Sequence, residues 1–217
     1  MIILITSVLV LQVCYGSKYA YTARLHNDLF SGYNKDIMFP GYGNVTLGLS
    51  ITDIVGIDDD LITFNVWQKM LWRDYRLQWS IPLYGNVTTL HIPTDKIWTP
   101  DIVLYNQARK EETLVKALSV VYHDGNVIYI PIKLITVRCP LDGRKKEYHC
   151  HFKYASWTYD GFDINIDFMS DEKIIDFSDY SGKYRIVGNS GKLDEANYPC
   201  CGQPYPYIVF TLKILKD

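Results

Sequence analysis

The sequence predicts an all-β sandwich with one short helix at its start. Three observations carry this. Segments rich in β-branched and aromatic residues alternate apolar and polar positions, as half-buried strands do. Turn residues recur between those segments. Helical spacing is confined to one stretch near the N-terminus. An all-β chain with many short strands and regular turns packs as two sheets.

The helix comes first. From Lys18 to about Gly32, Tyr21, Leu25 and Leu29 recur at helical spacing and Gly32 follows as a stop. In "VTLGLSITDIVGI", Val45, Leu47, Leu49 and Ile51 fall on one strand face. "LITFNVWQKMLWRDYRLQW" is a long β-rich run, and "NVIYIPIKLITV" follows the turn signal Asp124-Gly125. "YASWTYDGFDINIDF" and "YPYIVFTLKIL" close the set. No repeats, low-complexity segments or linkers interrupt it.

At 217 residues the chain fits one domain that buries its own core. Its 48% hydrophobic and 21% charged residues are those of a globular protein, not a disordered one. The net charge of −2, with no basic stripe, argues against nucleic acid as a partner. Eighteen tyrosines and five tryptophans suggest an extracellular β-protein or an aromatic binding surface.

"MIILITSVLVLQVCYG" carries no charged side chain and is too short to span a bilayer comfortably. Residues 1–16 are therefore expected to be a signal peptide cleaved before Ser17, with a buried N-terminal strand as the alternative. Residues 17–217 form the mature domain. Removal of Cys14 leaves Cys139, Cys150, Cys200 and Cys201, the number that two disulfides require. Sequons at Asn44 and Asn86 suit a secreted glycoprotein. Near its end, "FTLKILKD" places Lys213 and Lys216 where a membrane span would need apolar residues, so no membrane partner is expected.

Catalytic and metal signatures are missing. There is no G-x-S-x-G, no H-E-x-x-H and no glycine-rich phosphate loop. Cys139, His149, Cys150 and His151 invite a zinc reading, but consecutive strand residues point to opposite faces and cannot share one metal. A Cys139–Cys150 disulfide is the better reading, and its short loop would contribute on the order of 3 kcal/mol. We therefore expect no enzyme activity, metal or cofactor.

"NYPCCGQPYPY" raises a separate question. Cys200 and Cys201 either bond to distant partners or to each other. As a mutual pair they would stiffen a hairpin tip. The flanking Tyr198, Tyr205 and Tyr207 favour a rigid cap held over a ligand, because a plain tip has no use for exposed rings.

These residues carry a resemblance. "YPCCGQPYPY" resembles the C-loop of nicotinic acetylcholine receptor α-type subunits and of acetylcholine-binding proteins. "NVWQKMLWRDYRLQW" resembles that family's loop D, "IWTPDIVLYN" its loop A and "FKYASWTYDG" its loop B. "CPLDGRKKEYHC" occupies the place of the Cys-loop. The motifs share the family's order and cover nearly the whole mature chain.

The resemblance implies an immunoglobulin-like sandwich of about ten strands, assembled as a ring homopentamer with ligand sites between subunits. Tyr105, Trp157, Tyr198, Cys200, Cys201 and Tyr205 would form the principal face. Trp67, Lys69, Val120, Ile128 and Ile130 would form the complementary face, with Ile128 and Ile130 two apart and so facing alike. The implied ligand is a cationic amine, acetylcholine or nicotine-like, whose lost hydration is partly repaid by indole and phenol faces. Trp72, Trp79 and Trp98 are expected in the core, and Asp101 as a buried brace behind loop B.

Two departures qualify this. Receptor Cys-loops carry a hydrophobic Phe-Pro tip, but here Arg144, Lys145, Lys146 and Glu147 stand there, which suits water. Receptors also pair a lysine before loop B with an aspartate on the last strand; here Lys153 has Tyr207 at the matching position. Both favour a secreted, soluble binding protein. The alternatives are the extracellular domain of a pentameric ligand-gated channel, or a family member with another ligand or a structural role. Lys69, two residues after Trp67, either repels a cationic ligand or reaches into solvent.

Overall fold

The computed structural model describes residues 18–38, 43–199 and 201–216. The expected signal peptide, Cys14 and Cys200 lie outside the described residues. Helix α1 covers residues 18–30 and ends before Gly32, whose φ of +83° is the left-handed backbone a helix stop requires. Thirteen strand segments follow: β1 (Gly43–Asp58), β2 (Leu61–Gln78), β3 (Thr89–Pro93), β4 (Ile102–Leu104), β5 (Glu112–Val115), β6 (Leu118–Tyr122), β7 (Asp124–Tyr129), β8 (Ile132–Arg138), β9 (Leu141–Asp142), β10 (Glu147–Ser156), β11 (Ile164–Phe168), β12 (Ile186–Asn197) and β13 (Pro204–Leu215). They exceed ten because β4 and β9 are brief bridging pieces. The run "NVIYIPIKLITV" also divides between β7 and β8 at Ile130-Pro131, where proline has no N–H to continue a ladder.

The chain gathers into two compact units. The larger comprises Pro40–Trp72, Thr99–Ala117 and Ile128–Asp217 and is a two-sheet sandwich. One sheet runs β11-β1-β2-β8-β5, with β11 parallel to β1 and the other pairs antiparallel. The other runs β12-β13-β10, with β4 and β9 both pairing with β10. Alternation decides what lies between them. Val45, Leu47, Leu49 and Ile51 of β1 are buried, as are Ile62, Phe64 and Val66 of β2. From the facing sheet come Cys150, Phe152 and Tyr154 of β10, and Ile208, Phe210, Leu212 and Ile214 of β13. Phe64 meets Phe152 edge-on at 5.1 Å, and Phe168 meets Phe210 at 5.3 Å. Gln68 is the polar exception on the inner face of β2; its Nε2 donates to the Ile102 carbonyl at 3.1 Å.

Cys139 and Cys150 are joined by a disulfide, with Cα atoms 4.3 Å apart. Cys150 points inward while His149 and His151 lie on the outer face, as strand alternation requires. Among the described residues no group of three His, Cys, Asp or Glu is placed to hold a metal ion, and no helix is long and apolar enough to cross a membrane.

The smaller unit comprises Met1–Phe39, Arg73–Trp98 and Leu118–Val127. Leu25 of α1, Leu77, Trp79, Leu90, Ile92, Trp98 and Val121 are buried in it. Its polar centre is Asp74, which is fully buried. The Asp74 carboxylate accepts from the Tyr33 hydroxyl at 2.7 Å and from Arg76 Nε and Nη2 at 2.9 and 2.7 Å. Burial raises the Tyr33 phenol pKa well above its usual range, so it stays protonated and donates. Trp72, in the larger unit, and Trp79 and Trp98, in this one, are all buried as expected.

Candidate functional site

An aromatic cluster assembles in the larger unit from three segments. Tyr105 directly follows β4, Trp157 directly follows β10, and Tyr198 and Tyr205 flank the tip of the β12–β13 hairpin. The Tyr105 and Trp157 rings meet edge-on at 5.6 Å, and those of Tyr198 and Tyr205 at 5.3 Å. Burial raises the Tyr105 pKa, and the nearby Tyr198, Asp101 and Tyr205 raise it further. Tyr105 is thus protonated at neutral pH, and its hydroxyl donates to the Ser156 carbonyl at 2.5 Å. Trp157 is 71% exposed and Tyr198 42%. An indole that open is not core packing, and its face is available to a ligand or to a second chain.

Local hydrogen bonds explain why Trp157 stands there. Asp101 Oδ1 accepts from Ser156 Oγ at 2.6 Å, and Oδ2 accepts from the Thr158 N–H at 2.7 Å. Trp157 N–H donates to the Asp101 carbonyl at 3.2 Å. One aspartate therefore grips the residues on both sides of the indole. It is half-buried, not buried as the sequence suggests, because the loop it braces is itself at the surface. Gly161 N–H donates to the Pro204 carbonyl at 2.7 Å, tying this loop to the tip end of the hairpin; a Cβ at 161 would meet that oxygen at 2.9 Å.

The hairpin is held to its last rung by Asn197 opposite Pro204, and Cys201 N–H donates to the Tyr198 carbonyl at 3.0 Å across the tip. Cys201 is disulfide-bonded, and its partner lies outside the described residues. Beneath the cluster, Lys153 Nζ stands 3.9 Å from the Tyr207 ring centroid and 5.7 Å from that of Tyr105. Tyr207 thus gives Lys153 a π-face, and the Asp194 carboxylate opposite Tyr207 lies within electrostatic reach of the same ammonium.

The other expected residues sit elsewhere. Trp67 and Lys69 are half-buried on the outer face of β2 in the larger unit. Ile128 lies in β7 and Ile130 just beyond its end, both half-buried in that unit. Val120 is half-buried on β6 of the smaller unit. Lys69 does not reach freely into solvent: its Nζ is 2.7 Å from Asp176 Oδ2. Sequence reasoning did not single out Asp176, Ser156 or Gly161; Asp176 has partners distant in sequence, and Ser156 and Gly161 lie within the loop B segment but act through contacts its motif does not spell out.

The profile of the neurotransmitter-gated ion-channel ligand binding domain matches residues 22–216. The chain belongs to that family. Within it, acetylcholine receptor subunit alpha-L1 of Schistocerca gregaria is 36% identical over 89% of this chain and 38% of its own length. Neuronal acetylcholine receptor subunit alpha-2 of Rattus norvegicus is 34% identical over 99% of this chain and 43% of its own length. The chain thus spans about two-fifths of these relatives. Among solved structures, the Capitella teleta AChBP in complex with lobeline superposes with a TM-score of 0.81 at 26% identity, covering 90% of this chain and 97% of that one. The sandwich, the N-terminal helix and the bonded Cys139–Cys150 loop are those of a ligand-binding domain of this family.

Proposed function

We propose that this ligand-binding domain takes a cationic amine, acetylcholine or nicotine-like, in an aromatic box and does no chemistry on it. One observation carries the reading: Tyr105, Trp157, Tyr198 and Tyr205 converge with the largest ring mostly exposed. A quaternary or protonated amine gains most from an indole face, and phenols close the sides. The nearby carboxylate, Asp101, is occupied by Ser156 and Thr158, so the rings themselves supply the attraction.

The box is completed by a neighbouring copy in a homopentamer, whose larger unit brings Trp67, Ile128 and Ile130 as the opposite wall. A Cys200–Cys201 bond stiffens the cap over it. We take the protein to be secreted, with glycans on Asn44 and Asn86; both asparagines are exposed. The exposed Arg144, Lys145 and Lys146 at the tip of the Cys139–Cys150 loop support a soluble assembly, since an apolar membrane-domain partner would desolvate them. The second reading is the extracellular domain of a ligand-gated channel, favoured by relatives that are receptor subunits more than twice as long as the aligned segment.

Calorimetric titration with acetylcholine and nicotine tests the ligand class. Trp157→Ala should weaken binding by about 2 kcal/mol, roughly 30-fold. Wild-type protein that binds neither amine would refute the proposal.

A further inference from the structure

The loop between β11 and β12 pairs with the edge of β1 at a definite place. Asp176 N–H donates to the Leu49 carbonyl at 2.9 Å, and Ile51 N–H donates to the Asp176 carbonyl at 3.0 Å. This is a single parallel bridge between Ser50 and Asp176. In the β1–β2 ladder Ser50 stands directly opposite Trp67, and Gly48 opposite Lys69. The bridge therefore sets a carboxylate one strand away from the position that carries Trp67, with Ser50 between them and Lys69 reaching across β1 to it.

That carboxylate is fully used. Oδ1 accepts from the Ser178 N–H at 2.9 Å and its Oγ at 2.6 Å. Oδ2 accepts from Ser50 Oγ at 2.8 Å and Lys69 Nζ at 2.7 Å. The backbone bridge and two serines fix the carboxylate before the lysine arrives, so the flexible ammonium comes to the fixed anion. Asn189 adds a further clasp: its Oδ1 accepts from Ile175 N–H at 2.9 Å and its Nδ2 donates to the Ile175 carbonyl at 2.7 Å. Lys69 is the nearest cation to Trp67 on that face of β2, two residues or about 7 Å along the strand.

Resting on the cation-site reading above, we propose that Asp176 is a specificity-determining positioning residue that cancels the charge of Lys69 beside Trp67 and so admits cationic ligands. Without it, an ammonium faces any cation bound over Trp67. Two like charges held at the spacing of those two strand positions, about 7 Å, repel enough to cost between roughly three- and fifty-fold in affinity, depending on solvent access. An uncharged ligand of the same shape does not feel the difference. The pair thus selects for charge and leaves shape recognition to the rings.

The test titrates wild type, Asp176→Asn, Lys69→Gln and the double variant with two probes: acetylcholine and its uncharged carbon isostere, 3,3-dimethylbutyl acetate. Asp176→Asn should bind acetylcholine between about three- and fifty-fold more weakly and the isostere as before. Lys69→Gln should bind acetylcholine at least as tightly as wild type. The double variant should regain wild-type affinity, because no net charge remains. Equal loss for both probes in Asp176→Asn would make Asp176 a loop support only and overturn the proposal, as would unchanged acetylcholine binding or a double variant as weak as Asp176→Asn. Wild-type protein that binds the isostere as tightly as acetylcholine would instead overturn the cation-site reading, and this proposal with it.

Discussion

Replacing Asp101 by alanine should weaken amine binding without touching any ring of the box. The side chain makes two charge-assisted bonds, to Ser156 Oγ at 2.6 Å and to the Thr158 N–H at 2.7 Å. Such bonds are worth roughly 1.5–3 kcal/mol each, and a half-buried site takes the low end, so about 3 kcal/mol of local order is at stake. If all of it held Trp157 in place, affinity would fall by a factor of about 150. The Trp157 N–H bond to the Asp101 carbonyl and the Gly161 N–H bond to the Pro204 carbonyl survive the change. The expected loss is therefore nearer about ten-fold. Asparagine keeps an acceptor for Thr158 and should lose less. The assay is calorimetric titration with acetylcholine, run as a double-mutant cycle with Trp157→Ala. If Asp101 acts by holding the indole, its removal should cost little once the indole is gone. Additive losses, or an Asp101→Ala protein within two-fold of wild type, would refute the brace.

Three further outcomes are expected. Asp74→Asn should lower stability by about 3 kcal/mol, the low end for breaking a buried charged network because Arg76 is 25% exposed. A thermal melt should fall by roughly 6–12 °C, and an unchanged melting temperature would refute the role of the network. Asp176 is held well below the usual carboxylate range, chiefly by Lys69 and then by Ser178. Its folded pKa is depressed, so its stabilisation is present in full above the unfolded value near 4 and is lost progressively as pH falls from there towards the folded one. Urea melts between about pH 4 and pH 2 should show a wild-type acid loss that Asp176→Asn lacks. Finally, co-assembled Trp67→Ala and Trp157→Ala chains should recover a fraction of high-affinity sites that neither homopentamer has; no such fraction in confirmed mixed pentamers would place the box within one chain.

What was legible in the sequence is what a strand writes into it locally. Val45, Leu47, Leu49 and Ile51 announce their face by spacing alone, and all four are buried. The same rule set Cys150 apart from His149 and His151. Of the five tryptophans, Trp72, Trp79 and Trp98 are in the core as expected, Trp67 is half-buried and Trp157 is in the open, but only the motif around each separated them, since ring chemistry alone predicts burial for all. The break at Ile130-Pro131 was written in the proline and still read as one strand, because the apolar run on both sides is continuous. Asp176 was illegible. Its partners Ser50 and Lys69 lie 126 and 107 residues away, and nothing in "IIDFSDY" marks it as the end of a bridge.

Lys69 and Lys153 show how one physical problem is solved twice. Each places an ammonium near aromatic residues expected to receive a cation, and each would oppose that ligand if left bare. Lys153 is set against the Tyr207 ring at 3.9 Å, where a π-face attracts it while leaving its charge in place. Lys69 is set against a carboxylate, which cancels the charge. The two solutions differ in range. A ring's quadrupole acts only within a few ångströms, so the Lys153 charge is still felt beyond it, whereas an ion pair at 2.7 Å leaves only a dipole. Cancellation is therefore the stronger device, and it stands on the strand that carries Trp67. Lys153 stands near Tyr105, its ammonium 5.7 Å from the centroid of that ring. The distribution of charge around the aromatic residues is thus graded, and exchanging the partners of the two lysines would not be neutral even though the net charge of the chain would stay the same.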